Sequence, residues 1–267
     1  MNKQLAFLCL LTFIIHLIGT LAYSVRIAGV RTRRIAVSLS IFNILLLVSR
    51  TSNSFLGPFL AKRVESSLST TMTDGLLTDF RWLLLSTSIA TFIGALLTPT
   101  FQRILSRAVL HFQTYRSIPK LLADAVFKGG LPYMKNVATV PALVNVTKIH
   151  ETRDVSLWII FLNIGAGALW TVGVFAALYA GAIDSSVRVT SSTLSSIING
   201  GATVLMAIFI DPYISGITDD VMDGKISEGR FRKTVVWLIG SRLGGTLLAQ
   251  VLLVPSAVLI VNVARIL

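Results

Sequence analysis

The sequence is short of charge. Aspartate, glutamate, lysine and arginine make up 13% of its 267 residues, and 54% of the residues are hydrophobic. About a quarter of the residues in a soluble domain are charged, so these few charged groups cannot cover a water-facing surface. Lipid must therefore be the solvent for much of this protein, and we predict an all-α integral membrane protein.

Cysteine and histidine are also scarce. The single cysteine, Cys9, excludes an internal disulfide and a cysteine-cluster metal site. The three histidines, at positions 16, 111 and 150, are too dispersed to predict a histidine metal site. No P-loop, Rossmann glycine pattern, His-Glu-x-x-His helix or Gly-x-Ser-x-Gly elbow occurs. We therefore expect no cofactor, no metal and no ATP-driven pumping by this chain.

Acidic residues are half as frequent as basic ones, which gives a net charge of +12. In a soluble protein such a charge favours nucleic-acid binding. Here the lysines and arginines gather between apolar runs, where they contact anionic headgroups and orient the chain. We predict membrane lipids, and not nucleic acid, as partners.

Six apolar runs are long enough to cross a bilayer as helices. They cover residues 5–23, 35–60, 82–99, 156–180, 193–215 and 235–263. If the N-terminus is outside, the inner segments hold sixteen lysines and arginines and the outer segments seven. Positive charge concentrates on the cytoplasmic side, so we predict that both termini are extracellular.

The chain reads as one polytopic membrane domain, 1–267, with residues 100–155 outside the bilayer. Arg103 and Arg107 alternate there with apolar residues such as Leu105, which predicts an amphipathic cytoplasmic connector. An ordinary helix pair broken at Pro119 and Pro132 is the alternative.

The two halves, 1–99 and 156–267, resemble each other weakly. A shift of 156 residues places Asn43 on Asn199, and residues 56–60, around Pro58, resemble residues 210–214, around Pro212. Three spans per half would invert the second half, and inverted repeats in transporters place the substrate between them. We predict two inverted three-helix repeats; chance similarity of apolar segments is the alternative.

Two arginines, Arg50 and Arg242, lie within apolar runs. An arginine at mid-bilayer costs about 2.5–3.5 kcal/mol on insertion scales, and its planar fork suits phosphate oxygens. We predict that both line a cavity for an anionic headgroup, which Arg26 and Arg31 collect at the inner mouth. Snorkelling to an interface is the alternative, and it is favoured for Arg26 and Arg31.

Four further polar residues complete the predicted substrate site: His16, Asn43, Asn199 and Asp211. Hydrogen bonding between helices is the alternative for the first three, and an interfacial turn for Asp211. Gly-rich late spans, including Gly240 and Gly244, predict close helix packing, either within the monomer or in a homodimer.

One acidic cluster, Asp219-Asp220-x-x-Asp223-Gly224, resembles the start of the CDP-alcohol phosphotransferase signature. The later paired aspartates of that signature are absent. A membrane-embedded phosphatase or phosphotransferase is therefore an alternative to our prediction that the chain is not an enzyme.

Residues 16–32 and 39–53 resemble the opening of the bacterial Amj family. Asp211-Pro212, followed by Asp219-Asp220, resembles that family's second half. The resemblance implies an alternate lipid II flippase in the cytoplasmic membrane. Such a protein carries the undecaprenyl-pyrophosphate-linked peptidoglycan precursor from the inner to the outer leaflet. From the residues alone, transport of another anionic lipid or a small anion stays open.

Overall fold

The computed structural model describes residues 3–69, 74–115 and 155–267, and every regular element in these ranges is a helix. The α-helices are α1 (Lys3–Thr32), α2 (Ile35–Ser69), α3 (Asp74–Tyr115), α4 (Leu157–Ile183), α5 (Arg188–Leu205), α6 (Asp211–Met222) and α7 (Glu228–Ile266). A short 3₁₀ turn, Ser185–Val187, precedes α5, and a π-helix, Met206–Ile210, joins α5 to α6.

Six helical stretches in the described residues are long and apolar enough to cross a membrane. Five are α1, α2, α3, α4 and α7, and the sixth runs from the 3₁₀ turn to the end of α6. The predicted all-α membrane fold with six spans is confirmed. The chain is a multi-pass membrane protein.

The helices extend beyond the predicted apolar runs. α3 begins at Asp74 and continues through Pro99 to Tyr115, so residues 100–115 of the predicted connector belong to a spanning helix. Residues 116–154 of that connector lie outside the described residues. α2 likewise continues through Pro58, whereas Pro212 stands in the first turn of α6, directly after the π-helix.

Contacts fix the directions of the helices. Ser86 of α3 donates a hydrogen bond to the Cys9 carbonyl of α1, 2.8 Å, while further along Thr20 packs on Gly94, so α1 and α3 run parallel. α7 runs antiparallel to α1, because Leu8 shares an apolar cluster with residues late in α7 and Val30 with residues early in α7. α4 runs parallel to α7, since Asn163 bonds to Leu238 and Asp184 to Arg265.

Both chain termini therefore lie at one end of the bundle, which we call the terminal end. The opposite end, the basic end, contains the C-terminus of α1 and the N-terminus of α7. Its described lysines and arginines include Arg26, Arg31, Arg33, Arg34, Lys225 and Arg232. The uneven distribution of positive charge along the sequence thus becomes an uneven distribution between the two ends.

Gly94 and Gly245 each allow two helices to approach closely. A Cβ at Gly94 would lie 2.8 Å from Thr20, and one at Gly245 would lie 2.7 Å from the Ile164 carbonyl oxygen. Gly244 also faces Ile164, whereas a Cβ at Gly240 would meet nothing within 4 Å. Gly244 and Gly245 therefore pack α7 on α4 within the monomer, as small residues do between membrane helices.

Candidate functional site

His16 and Arg242 come together deep in the bundle. Each lies about 20 Å along its helix, at 1.5 Å per residue, so both are well inside a hydrocarbon core about 30 Å thick. Nη2 of Arg242 lies against Gly19, one turn from His16, at 2.6 Å from where a Cβ would stand. The missing side chain at Gly19 therefore provides the space that the guanidinium occupies.

Both groups have buried polar atoms without partners. Nδ1 of His16 and Nε of Arg242 are buried and make no hydrogen bond. Among the described residues, no carboxylate forms an ion pair with Arg242. A buried cation without a counter-ion is costly, and such groups in a membrane normally face a partner, a cavity or a ligand. The unpartnered Nε of Arg242 therefore suits an anion, and Nδ1 of His16 is a second unsatisfied position at the same depth.

Asn163 of α4 holds the adjacent turn of α7. Its Nδ2 donates to the Leu238 carbonyl, 2.9 Å, and to the Ser241 hydroxyl, 2.7 Å, and its side chain is buried. These bonds fix α7 immediately before Arg242. Asn163 thus acts as an interhelical hydrogen-bonding residue. Nothing in the sequence marked Gly19 as a site residue.

Arg50 lies at the depth of His16 but on another surface. Ser38 donates to the Val25 carbonyl, 2.7 Å, and Phe7 packs edge-on to Phe59, so α2 runs antiparallel to α1. Arg50, midway between these two contacts, is therefore level with His16. Its side chain is exposed, and no described contact joins it to Arg242. The role of Arg50 in a shared cavity stays a prediction.

The two predicted asparagines also lie apart from His16. Asn43 is exposed on α2. Asn199 of α5 packs against Gly173 of α4, and its Oδ1 is buried without a hydrogen-bond partner. Like Arg242, Asn199 carries an unsatisfied polar atom inside a spanning helix, which makes it a second polar point within the bundle.

The remaining predicted residues meet at the basic end. Arg26 of α1 contacts Asp211 of α6, with Nη2 3.8 Å from Oδ1, and donates to the Ser215 hydroxyl, 3.3 Å. Nε of Arg31 lies 3.5 Å from Oε1 of Glu228 on α7. A cavity of about 250 Å³ opens beside them, lined by Val30, Arg31, Arg33, Val221, Met222, Ile226 and Glu228.

The acidic cluster at the end of α6 is occupied by a lysine. Nζ of Lys225 lies 2.9 Å from Asp223 and 3.5 Å from Asp220. The hydrogen bond to Asp223, supported by the charges of both carboxylates, raises the pKa of Lys225 above its usual value. In the described part of the chain, no three histidine, cysteine or acidic side chains are grouped to hold a metal ion. The phosphotransferase alternative gains no support from this geometry.

A family model described as "Amj: Alternate to MurJ" matches residues 11–264. The chain belongs to the Amj family. The resemblance of residues 16–32 and 39–53 to that family is thereby confirmed, and the match includes every residue of the predicted site. A curated relative from Bacillus subtilis (strain 168), named "Lipid II flippase Amj", is 34% identical over 264 residues. The alignment covers 96% of this chain and 95% of the relative. No solved structure matches this Amj-family chain.

Proposed function

We propose that this chain is a lipid II flippase of the bacterial cytoplasmic membrane. Its relationship to the lipid II flippase of Bacillus subtilis, which covers 96% of its length, carries this proposal. The substrate has a pyrophosphate headgroup and a prenyl tail. The tail stays in lipid, while the headgroup needs a cation and hydrogen-bond donors at membrane depth; Arg242 provides the cation and His16 a ring nitrogen for hydrogen bonding.

The headgroup rests between His16 and Arg242 during its passage. Nδ1 of His16 and Nε of Arg242 have no hydrogen-bond partner in the protein, and phosphate oxygens of the headgroup can accept hydrogen bonds from them. Arg50, level with them on α2, supplies a second cation, and Asn43 and Asn199 supply polar contacts for the sugar-bearing part of the headgroup. No covalent bond is made or broken in this passage, and the chain is accordingly not an enzyme.

The site lies between two inverted repeats, α1–α3 and α4–α7. In the first, α1 packs on α2 and α3, and in the second, α4 packs on α5 and α7. Gly94 of α3 and Gly245 of α7 each provide one close approach within its own half. The antiparallel courses of α1 and α4, and of α3 and α7, support the inversion. Rocking of one repeat against the other would expose the site alternately to each leaflet.

The basic end faces the cytoplasm, because positive charge accumulates on that side, and both termini are then extracellular. A membrane potential that is negative inside favours outward movement of an anionic headgroup by about 2.3 kcal/mol per charge per 100 mV. The open surface at Gly240 offers a contact for a second copy of the chain.

The test is translocation of fluorescent lipid II in vesicles that contain the full-length chain, read as the fraction of headgroup in each leaflet. We expect Arg242→Ala to slow movement at least tenfold, since charged hydrogen bonds contribute about 1.5–3 kcal/mol. Arg242→Lys keeps the charge and controls for folding. Lys62→Ala removes an exposed cation at the terminal end and should leave the rate unchanged.

The outcomes separate the function from the site. A wild-type chain that leaves lipid II in its original leaflet contradicts the proposed function. Normal rates with Arg242→Ala contradict the site and leave the function intact. Movement of a different prenyl phosphate, without lipid II, would favour the alternative of another anionic lipid.

A further inference from the structure

The ion pair between Arg26 and Asp211 is loose. Its nitrogen and oxygen atoms are 3.8 Å apart, whereas hydrogen-bonded pairs of this kind measure about 2.7–2.9 Å. The only described hydrogen bond of the Arg26 guanidinium goes to the Ser215 hydroxyl, at 3.3 Å. Asp211 is therefore near enough to balance the charge of Arg26, but it does not satisfy the donors of the guanidinium fork.

The two side chains differ in exposure. The Arg26 side chain is 23% exposed, held between α1 and α6, while the Asp211 side chain is 61% exposed. The carboxylate has open space to turn into, and the guanidinium does not. An incoming anion can thus replace the Asp211 carboxylate while the position of Arg26 stays fixed.

A cavity of about 250 Å³ lies further along α1, lined by Arg31 and Arg33 together with Glu228. A water molecule takes up about 30 Å³, so this volume is ample for a phosphate group and its first waters. Arg31 and Glu228 also form a long pair, 3.5 Å, so a second loosely held guanidinium is present at the basic end.

We propose that Arg26 is the initial binding site for a pyrophosphate headgroup, and that Asp211 occupies this site until the substrate displaces it. Pyrophosphate carries more negative charge than a carboxylate, and its oxygen atoms suit the bidentate fork of the Arg26 guanidinium. The choice of a prenyl pyrophosphate rests on the proposed function. Arg242, deeper in the bundle, then receives the same headgroup.

Displacement of Asp211 also removes a link between helices. Asp211 is the first residue of α6 and directly follows the π-helix Met206–Ile210, a rare geometry that occurs mostly at functional sites. When the headgroup takes over Arg26, α6 loses its ion pair to α1. Binding of substrate and loosening of the basic end are therefore one event.

Binding to the purified full-length chain in detergent tests this proposal, with a short-chain prenyl pyrophosphate as the probe. We expect Asp211→Asn to tighten binding about two- to fivefold, because it removes an exposed competing carboxylate. Arg26→Gln should weaken binding at least tenfold, and Arg26→Lys should weaken it less, since the charge remains.

The matched control is Glu65→Gln at the terminal end. Glu65 forms a pair of similar length with Lys62, 3.9 Å, and its side chain is exposed like that of Asp211. This variant also makes the same change in net charge. It should leave the affinity unchanged. Inorganic pyrophosphate should compete with the probe, and the uncharged prenol should not respond to Asp211→Asn.

Unchanged or weaker binding by Asp211→Asn would overturn the proposal, as would an equal gain by Glu65→Gln. The proposal would also be overturned if Arg26→Gln bound the probe with wild-type affinity, or if the wild type did not bind the probe. Binding of inorganic pyrophosphate without binding of the prenyl pyrophosphate would overturn it too. If lipid II moves in vesicles but the variants do not show the expected affinities, the binding site at Arg26 is wrong and the proposed flippase function stands. If the variants show the expected affinities but lipid II does not move, the binding site is supported and the flippase function is contradicted.

Discussion

The two ends of the bundle hold their helices together differently. At the terminal end, Arg63 donates two hydrogen bonds to Asp79, 2.9 and 2.7 Å, and Arg265 donates two to Asp184, 2.8 and 2.6 Å. At the basic end, the pairs of Arg26 with Asp211 and of Arg31 with Glu228 are 3.8 and 3.5 Å long. The terminal end is fastened by well-formed pairs, and the basic end by loose ones.

The pairs also differ in what they connect. Arg63 and Asp79 join α2 to α3 within the first half, and Asp184 and Arg265 join the end of α4 to α7 within the second. Both loose pairs run from α1 to the opposite half, to α6 and α7. Among the ion pairs of the described residues, separation of the halves would therefore break the loose ones and leave Arg63–Asp79 and Asp184–Arg265 intact. In the flippase that we propose, the basic end opens while each half moves as a unit, as in rigid-body transitions.

The largest expected effect comes from cross-linking the two halves at the basic end. In a Cys9→Ser background, cysteines at Arg31 and Glu228, joined by a reducible cross-linker, should stop lipid II movement in vesicles. The reason is that the link ties α1 to α7 across the halves. Reduction of the cross-link should restore the movement.

The control places cysteines at Arg63 and Asp79, where the cross-link ties two helices of one half. We expect this link to leave the translocation rate within about a factor of two of the uncross-linked chain, because hinge motion leaves rigid bodies intact. Equal loss of movement with both cross-links would show that the two ends do not differ in mobility.

The second effect is on stability. Asp79→Asn removes both charged hydrogen bonds of a largely buried arginine, so we expect the free energy of unfolding to fall by about 1.5–3 kcal/mol. Asp211→Asn removes only a long, exposed pair and should lower it by less than about 1 kcal/mol. Thermal unfolding in detergent, followed by tryptophan fluorescence, measures both. A larger loss for Asp211→Asn would reverse the assignment of tight and loose ends.

Composition was sufficient to predict the spans. A chain with little charge and six long apolar runs must cross lipid as helices, because a helix satisfies all of its backbone hydrogen-bonding groups within one segment. The ends of the helices were not predictable from those runs. A helix does not stop where the bilayer stops, and α3 continues past Pro99 to Tyr115 because its hydrogen bonds need no lipid.

The site was partly predictable for a similar reason. The position of Arg242 within an apolar run gave its depth, and its depth implied a charged ligand or a cavity. Its contact with Gly19 depends on how α1 packs against α7, more than 200 residues away, and no local pattern encodes that packing. The pairing of Arg26 with Asp211 and the π-helix before it are likewise products of tertiary packing.

The smallest expected effect is a pH-dependent change in thermal stability, and it concerns an ion pair at the terminal end. Hydrogen bonds from Ser186 and then from Arg265 lower the pKa of Asp184 below its ordinary value of 3.8. A carboxyl whose pKa is lower in the folded state stabilises the fold above its unfolded pKa, and this contribution disappears as the pH falls through the folded pKa.

Asp184→Asn should therefore melt below the wild type at pH 7, and the difference should shrink below about pH 4, near the ordinary aspartate pKa. Melting curves from pH 7 to pH 3 measure this difference. A constant difference over that range would show that the charge of Asp184 contributes nothing to fastening α4 to α7, and the contrast between the ends would then rest on Arg63 and Asp79 alone.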